Sequence, residues 1–379
     1  MALPTSLTND ALLFSCACTA VSHWCAASIQ LLANSSALTE PSEFRPIALT
    51  NTIGKIFFAV IAKRLEQFMS KNNYISHVQK GFKANTPGCL EHSFAMFEAL
   101  LDAKHNQRQI VVSWLDLKNA YGSVRHNLIQ FALNWFHVPK IIRGLIFDYY
   151  EKICAQIRVK DKRTPFFVFH IGLFQGCVLS CILFNCVFQM LLDLIAPLSK
   201  LHGYKFKDMP IVLHDQAFAD DISITTSRPE MNQMTINAIV KFLRWAYLQE
   251  NPKKCITMAM KRFYNDSDSK YERYGDTQYC AYDPALTIDG EQLKFIVNLA
   301  KDPQSLEYDH FKELGRFISV DLKEDKIRSE ISRRLNADMV EFRGCTSSTS
   351  TNIPSCRASR GPSSCTTYRS PLCVTLIST

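Results

Sequence analysis

Apolar stretches flank a short acidic turn near the middle of the chain. Residues 211–213 (Ile-Val-Leu) precede the run Phe-Ala-Asp-Asp at 218–221, and residues 222–225 (Ile-Ser-Ile-Thr) follow it. Apolar and β-branched residues on both sides of a turn predict two short strands that form a β-hairpin. The hairpin would therefore carry Asp220 and Asp221 side by side at its tip.

A third acid ends a second strand-like stretch. Residues 110–115 are mostly apolar, and Asp116 follows them directly. A neighbouring strand of the same sheet would bring Asp116 to the hairpin tip. Adjacent carboxylates repel each other, and a purely structural hairpin does not require both, so a divalent cation that neutralises them would explain the arrangement. The three acids are therefore candidate ligands of a two-metal site, although an Asp-Asp pair alone is ordinary in a turn.

Helices alternate with strands over the rest of the chain. A helix begins at Asn51 or Thr52, either of which can cap it. Further helices are predicted over 88–106, around 128–135, and over 141–150, 178–195 and 231–248. Strands are predicted over 153–159 and 166–171, and residues 24–32 fit a strand or a short helix. The apolar positions that define the first three helices are Phe57, Val60, Ile61, Leu65 and Phe68; Leu90, Phe94, Phe97 and Leu101; and Leu128, Phe131 and Trp135. The whole pattern predicts an α+β fold.

Composition narrows the class of protein. A chain of 379 residues can bury a large core, and a net charge of +8 permits nucleic-acid binding without proving it. The 14 cysteines form no paired CxxC knuckles with a matching His, which indicates reduced thiols and no zinc site. Residues 1–44 contain no Lys or Arg, so no signal peptide is expected, and the apolar stretch 11–33 lacks the basic flanks of a membrane span. We expect an intracellular protein, in cytoplasm or nucleus, with no membrane partner.

Seven blocks carry a more specific signal when they are taken in order. They are FRPIALT at 44–50, QKGF at 79–82, LDLKNAY at 115–121, GLFQGCVLS at 172–180, FADD at 218–221, NPKKC at 251–255 and FKELG at 311–315. In order and spacing this series resembles the reverse transcriptases of non-LTR (LINE-like) retrotransposons. The resemblance covers roughly residues 40–320.

The resemblance implies a right-hand polymerase with an antiparallel palm sheet and a catalytic β-hairpin. The expected divisions are an N-terminal extension over 1–40, fingers over 41–110, palm over 111–262, the palm end and start of a short or missing thumb over 263–342, and a disordered or foreign tail over 343–379. The implied reaction is RNA-directed DNA synthesis, with an RNA template, a DNA primer and deoxynucleoside triphosphates as partners. The endonuclease and additional nucleic-acid-binding domains usual in the family are not visible in this sequence.

The resemblance also assigns roles to single residues. Two Mg²⁺ ions, with Mn²⁺ as an alternative, would be held by Asp116, Asp220, Asp221 and the backbone carbonyl of Leu117. The implied nucleotide-binding residues are Arg45, Tyr121, Gln175, Gly176 and Lys254, and the implied template and primer contacts are Lys80, Gly81, Phe82, Leu314 and Gly315. This sequence departs from the family at three positions. Phe174 stands where a basic residue is common, Cys181 where proline is common, and Glu313 where the family has a tyrosine-like residue.

Three alternatives remain open at this point. An inactive retroelement remnant that at most binds RNA fits the altered blocks and the short thumb. An RNA-dependent RNA polymerase shares the metal chemistry, but a large aromatic at Tyr121 would exclude the 2′-hydroxyl of a ribonucleotide. A metal-dependent hydrolase would need a water-activating base beside the acids, and none stands out in the sequence.

Overall fold

The computed structural model describes residues 24–33, 44–83, 86, 88–262, 279–296, 307–308, 311–314, 316–319 and 322. The chain divides into two compact units, Met1–Leu322 and Lys323–Thr379, and every described residue belongs to the first. The predictions for Gly315, for the tail over 343–379 and for the N-terminal extension up to residue 23 lie outside the described residues. The predicted bounds of fingers, palm and thumb stay predictions.

Strands and helices alternate through the first half of the described chain, as the apolar pattern predicts. Residues 24–32 prove to be mainly strand, whereas the strand predicted over 166–171 is confined to two residues. The elements are β1 (Ala26–Ala33), β2 (Phe44–Thr50), α1 (Thr52–Lys71), α2 (Gly88–His105), β3 (Ile110–Leu115), α3 (Ala120–Ser123), α4 (His126–Trp135), α5 (Lys140–Lys152), β4 (Cys154–Val159), β5 (Lys162–Arg163) and β6 (Phe167–Val168).

The second half contains the longest helix and the acidic hairpin. The elements are α6 (Val178–His202), β7 (Tyr204–Lys205), β8 (Val212–Leu213), β9 (Asp215–Phe218), β10 (Asp221–Thr226), α7 (Pro229–Ala246), β11 (Ile256–Arg262), β12 (Tyr279–Ala281), β13 (Thr287–Ile288), β14 (Glu291–Gln292), β15 (Lys294–Ile296), β16 (Glu307–Tyr308), β17 (Phe311–Glu313) and β18 (Arg316–Ile318).

The central sheet has the strand order β16-β15-β11-β3-β10-β9, with β12 beside β11. The pairs β11–β3, β3–β10 and β10–β9 are antiparallel, whereas β15 pairs with β11, and β16 with β15, in parallel. The expectation of an antiparallel palm sheet is therefore right for the hairpin and its neighbours and wrong for the far edge, where the sheet is mixed. The predicted α+β class is confirmed.

Both faces of the central strand β3 are buried. Val111 and Leu115 belong to the core on one face, while Ile110, Val112 and Trp114 belong to a second core on the other. Because alternate side chains of a strand point to opposite faces, a strand between two cores is a continuous apolar run. This arrangement explains why residues 110–115 are nearly all apolar, and it makes Asp116 the first polar side chain after the sheet interior.

A second sheet brings the N-terminal blocks together. Its strand order is β2-β1-β4-β5, with β6 also on β4. β1 is antiparallel to β2 and parallel to β4, so residues far apart in sequence share one surface. The backbone N–H of Ala48 in β2 donates to the carbonyl of Gln175 at 2.7 Å, which joins this sheet to the loop before α6.

Helix α6 lies at the centre of the larger core. It is long and apolar enough to pass a test for a membrane span, with a mean hydropathy of 2.1, yet 78% of that segment is buried inside this structure. The buried side chains include Leu183, Phe184, Val187 and Phe188. A helix that is apolar on every side is typical of the interior of a large protein, and α6 has that position here.

The predicted faces of three helices, α1, α2 and α4, are partly wrong. In α1 the buried positions are Gly54, Phe58, Ile61, Leu65 and Met69, whereas Val60 is 44% exposed. The buried face is rotated relative to the predicted one because Gly54 packs closely on Trp24. Glycine has no apolar side chain, so a search for apolar periodicity does not count it as a buried position. The start of α1 is as predicted, since the side chain of Asn51 accepts hydrogen bonds from Ile53 N–H and Gly54 N–H.

Helix α2 turns Leu90 and Phe94 outward, whereas Phe97 and Leu101 of the predicted stripe pack against the second core. Leu90 is 72% exposed and Phe94 is 58% exposed, while His92, Ser93 and Met96 are buried. The polar pair is buried because His92 hydrogen-bonds to backbone carbonyls of neighbouring segments. Periodicity of apolar residues could not anticipate that. In α4, likewise, Leu128 is buried but Phe131 and Trp135 are largely exposed.

Candidate active site

The acidic hairpin is present, but its first strand is not the predicted one. β10 pairs with β9, so the partner strand is Asp215–Phe218, whereas Val212–Leu213 pairs with β7 in a separate small sheet. The apolar pattern does not predict β9 because two of its four residues, Asp215 and Gln216, are polar. They are buried because Asp215 contacts the ring of His214 at 3.0 Å, and Gln216 donates to His92 at 3.1 Å.

The register of the sheet brings the three acids together. β10 is antiparallel to β3, with Ile222 opposite Leu115. The next position in the same register places Asp221 opposite Asp116, at the point where both strands leave the sheet. Asp220 precedes Asp221 in the hairpin turn, whose other residue, Ala219, has a positive φ of 58°. The register therefore sets Asp116 and Asp221 opposite each other, with Asp220 next to Asp221 in the turn, and their joint role as metal ligands stays a prediction.

Burial and mutual repulsion together raise the pKa values of Asp220 and Asp221. The pKa of Asp221 is raised to about 6, first by desolvation in the cleft and then by the charges of Asp220 and Asp116. Desolvation also raises the pKa of Asp220, with Asp116 adding to the effect and Arg45 opposing it. Carboxylates whose charges disfavour one another are stabilised by a cation between them. Arg45, predicted to bind nucleotide, is thus near enough to Asp220 to act on its charge.

The donor set suits hard divalent cations. Carboxylate oxygens are the preferred ligands of Mg²⁺, which keeps several waters and is commonly held by one or two carboxylates together with substrate phosphates. Within the described residues no three His, Cys, Asp or Glu side chains are grouped closely enough to enclose an ion. The chemistry of Asp116, Asp220 and Asp221 suits an ion that is also bound by substrate phosphates, and their role as metal ligands stays a prediction.

Asp116 is fixed by a neighbour that the sequence analysis did not single out. The side-chain amide of Asn251 donates to Asp116 Oδ2 at 3.1 Å, and the backbone N–H of Asn251 donates to the Asp116 carbonyl at 2.8 Å. The backbone N–H of Asp116 donates to the thiol of Cys255 at 3.4 Å. Lys254 Nζ lies 3.9 Å from Asp116 Oδ2 and is largely exposed. Block 251–255 therefore packs against Asp116, and the nucleotide-binding role of Lys254 stays a prediction.

Leu117 continues past the acid into a short connection. It is buried and forms an isolated antiparallel bridge with Glu250, next to the hydrogen bond from Lys118 N–H to the Gln249 carbonyl. The assignment of its carbonyl as a metal ligand stays a prediction. The surrounding contacts hold the backbone after Asp116 in place.

Tyr121 lies close enough to Asp220 to feel its charge, and its assignment as a nucleotide-binding residue stays a prediction. Its ring is stacked on Phe184 of α6, with centroids 4.7 Å apart, and meets the exposed Phe82 edge to face at 6.0 Å. Burial raises the pKa of its hydroxyl well above the usual value, with Cys181 and Asp220 also contributing, so the hydroxyl stays protonated. The departure at Cys181 thus places a thiol beside this ring.

The loop of Gln175 and Gly176 is packed on β2. Gly176 has φ +105°, and a Cβ added there would lie 2.8 Å from the carbonyl oxygen of Ala48. Both the backbone angle and the close approach require glycine. Phe174, where the family commonly has a basic residue, is buried against Phe169. The side chain at position 174 therefore faces the core rather than a ligand.

Block 79–82 packs directly against the hairpin tip. A Cβ added to Gly81 would lie 2.1 Å from the backbone nitrogen of Ala219. Gln79, which the sequence analysis did not choose as a functional residue, is 1% exposed and hydrogen-bonds to both backbone groups of Ala219. Lys80 pairs with Glu91 at 2.6 Å. Template contact by Lys80, Gly81 and Phe82 stays a prediction, but their block has a clear structural partner.

A basic cleft of about 550 Å³ opens beside Asp116 and Asp221. Its wall includes Asp116 and Asp221, four lysines and the ring of Phe311, which packs on Trp114. The lysines are Lys253, Lys254, Lys294 and Lys312. β17 and β18 form a small hairpin with Leu314 at its turn, so the predicted primer-contacting block reaches the rim of this cleft.

Comparison with known proteins agrees with these observations. Residues 34–305 match the family described as reverse transcriptase (RNA-dependent DNA polymerase). Over 240 residues the chain is 27% identical to a retrovirus-related Pol polyprotein from the type-1 retrotransposable element R2 of Popillia japonica, covering 62% of this chain and 32% of the relative. It is 28% identical over 221 residues to the Pol polyprotein of the type-2 element R2DM of Drosophila melanogaster, covering 58% and 20%.

Among solved structures, telomerase of Candida tropicalis bound to a fragment of telomeric RNA is similar, with a TM-score of 0.47, 12% identity and coverage of 71% of this chain and 46% of that one. The chain spans about a third or less of the length of the two curated relatives. Both relatives are retrotransposon polyproteins, which confirms the resemblance read from the seven blocks. Because the family match extends over more than half of the chain, the protein belongs to the reverse transcriptase (RNA-dependent DNA polymerase) family.

Proposed function

We propose that this chain is the polymerase part of a non-LTR retroelement protein and adds deoxynucleotides to a primer 3′-hydroxyl on an RNA template. The observation that carries the proposal is the convergence of Asp116, Asp220 and Asp221 from two paired strands, with an aromatic ring and a basic cleft beside them. The partners would be RNA, a DNA primer and deoxynucleoside triphosphates, inside the cell.

The acids supply the metal site. Two bound Mg²⁺ ions would lower the pKa of the primer 3′-hydroxyl and stabilise negative charge on the transferred phosphoryl group and the leaving pyrophosphate. Asp116 and Asp220 would hold the ions, and Asp221 would assist. Asn251 keeps the Asp116 carboxylate oriented for this role through its amide at 3.1 Å.

Basic side chains around the acids would bind the phosphates. Arg45 in β2 acts on the charge of Asp220, and Lys254 Nζ lies 3.9 Å from Asp116 Oδ2. A triphosphate drawn between them would be neutralised by both, because opposite charges within a few ångströms favour the ionised form. Lys80 would reach a template phosphate only by exchanging its present partner Glu91.

Tyr121 would select the sugar of the incoming nucleotide. Its ring is held between Phe184 and Phe82, so it cannot move aside freely. A fixed ring beneath the sugar leaves no room for a 2′-hydroxyl and rejects ribonucleotides by steric clash. The same contact favours a DNA product over an RNA product, which separates the proposal from RNA-dependent RNA synthesis.

The direct test is extension of a DNA primer on an RNA template with Mg²⁺. We expect extension by the wild-type chain and a loss of at least about 100-fold in Asp220→Asn, because several kcal/mol of transition-state stabilisation depends on the metals. Asp208→Asn, which removes an exposed acid between β7 and β8, is the matched control and should extend normally.

Two results would reject the proposal. Extension by Asp220→Asn at the wild-type rate would show that the acids do not hold the catalytic metals. Absence of extension by a folded wild-type chain that still binds RNA would favour the alternative of an inactive, RNA-binding remnant.

A further inference from the structure

We propose that Gln79 is a positioning residue that holds the backbone of the hairpin tip in the conformation that presents Asp220 to the site. The inference rests on the proposed function and goes beyond it. Gln79 belongs to block 79–82, and among the described residues its side chain has no hydrogen bond to Asp116, Asp220 or Asp221. Its side chain contacts the turn residue Ala219 instead.

The carboxamide of Gln79 pairs with Ala219 in two directions. Gln79 Nε2 donates to the Ala219 carbonyl at 3.0 Å, and the Ala219 N–H donates to Gln79 Oε1 at 2.9 Å. This is the pairing that a neighbouring strand would provide through its own peptide group. A turn residue at the end of a hairpin lies beyond the last paired residues, here Phe218 and Asp221, and needs such a partner when it is buried.

The turn needs a clamp for a second reason. Ala219 has φ 58°, in the left-handed region that residues with a Cβ seldom occupy, and it is 5% exposed. A residue held in this region persists where its surroundings fix it. Ala219 precedes Asp220 directly, so the angle at Ala219 sets the direction in which the Asp220 carboxylate leaves the backbone.

Gln79 is itself held in place. Its Oε1 also accepts the N–H of Gly81 at 2.8 Å. On either side, the backbone N–H of Lys80 donates to the Ala217 carbonyl at 2.9 Å, and the N–H of Ala217 donates to the Val78 carbonyl at 3.0 Å. Residues 78–81 therefore lie along β9 like an extra short strand, and the Gln79 side chain extends that pairing to the tip.

The two hydrogen bonds to Ala219 require a neutral side chain that carries both a donor and an acceptor and has the length of glutamine. Methionine has nearly the same length and neither group. Glutamate keeps the acceptors, loses the donor and adds negative charge near a set of acids that already repel each other. Asparagine is one methylene too short to reach both groups of Ala219. These differences make the three variants a graded series.

The first measurement is hydrogen exchange in metal-free protein, on peptides that contain Ala219. We expect Gln79→Met and Gln79→Glu to speed exchange of the Ala219 amide by at least about tenfold, because its hydrogen bond is removed or strained. Gln109→Met is the control, because it makes the same substitution away from the hairpin tip. Gln109 donates to the Tyr282 hydroxyl at 2.6 Å, and among the described residues it has no hydrogen bond to the tip. Unchanged exchange in Gln79→Met would overturn the clamp.

The second measurement is the Mg²⁺ dependence of primer extension. A displaced Asp220 should raise the Mg²⁺ concentration for half-maximal rate by about tenfold and lower kcat, while the KM for the nucleotide changes less than threefold. Gln79→Asn should fall between wild type and Gln79→Met. Faster exchange with unchanged kcat and Mg²⁺ dependence would reduce Gln79 to a structural residue and overturn its positioning role.

The two measurements separate this inference from the proposed function. If the wild-type chain makes no DNA, the proposed function fails, and binding of Mn²⁺ by wild type and Gln79→Met then replaces the rate measurement. Equal Mn²⁺ affinity in the two proteins would reject the positioning role, and an affinity about tenfold lower in Gln79→Met would support it.

Discussion

Gly81 is the position at which the smallest possible change should disturb the site most. In Gly81→Ala the added Cβ would lie 2.1 Å from Ala219 N, 2.8 Å from Ala219 Cα and 2.9 Å from Phe218 C. All three are backbone atoms, so no side-chain rotation relieves the contact. Ordinary contact begins at 3.4 Å, and block 79–82 and the hairpin tip must therefore separate by about 1.3 Å.

That displacement should cost both stability and activity. Forcing a methyl group into a well-packed site usually costs about 1–3 kcal/mol, and we expect the upper end because backbone must move. A displacement of about 1 Å at reacting groups can lower the rate by about 10²-fold. The assays are urea-induced unfolding and the kcat of primer extension with saturating nucleotide.

Gly144→Ala is the matched control. Gly144 lies inside α5, and a Cβ added there meets nothing within 4 Å. We expect this variant to gain about 0.5–1 kcal/mol, because alanine is the better helix former, and to extend primers normally. If Gly81→Ala were as stable and as active as wild type, the close packing of the fingers block on the hairpin would be wrong.

Three further predictions concern single side chains. Tyr121→Ala should raise the ratio of ribonucleotide to deoxyribonucleotide kcat/KM by roughly tenfold or more, whereas Tyr121→Phe, which keeps the ring, should leave the ratio unchanged. Desolvation and the neighbouring acids raise the pKa of Asp221 to about 6, so ionisation of Asp221 destabilises the metal-free fold as pH rises from about 4 to 6. Asp221→Asn should therefore add about 1 kcal/mol to the free energy of unfolding at pH 7, less than the full shift implies because the carboxyl reaches solvent, and no added stability in urea unfolding would contradict the raised pKa. Burial lowers the pKa of His92, so the folded state favours the neutral ring, and the free energy of unfolding should fall as pH drops below the unfolded value of 6.5. His92→Gln should reduce this dependence of unfolding free energy on pH by up to about 1.4 kcal/mol per pH unit, and an unchanged dependence would exclude His92 as its source.

The sequence was most informative where one physical pattern decided the structure. The run 110–115 predicts β3 because a strand between two cores must be apolar on both sides. The cap at Asn51 follows from local backbone hydrogen bonds. The meeting of Asp116 with the hairpin acids was predictable because strands of one sheet bring their ends together.

Buried polar residues account for several of the errors. β9 was missed because Asp215 and Gln216 are buried polar residues, and their partners are distant in sequence. The same is true of His92, whose partners decide which face of α2 is buried. Gln79 and Asn251 carry neutral amides, which do not by themselves indicate a functional site. Their hydrogen bonds to Ala219 and Asp116 are seen only in the folded chain. Pairing between polar side chains across the fold has no periodic signal.

The central claim is that Asp116, Asp220 and Asp221 hold two divalent ions when primer, template and nucleotide are bound. The most direct measurement is Mn²⁺ binding, followed by the loss of the free-ion electron paramagnetic resonance signal, with an RNA template, a primer lacking its 3′-hydroxyl and the matched deoxynucleoside triphosphate. We predict two ions bound per wild-type chain beyond those held by the nucleic acid and nucleotide alone, and loss of at least one in Asp116→Asn and in Asp220→Asn. Equal binding by wild type and both variants would contradict the account.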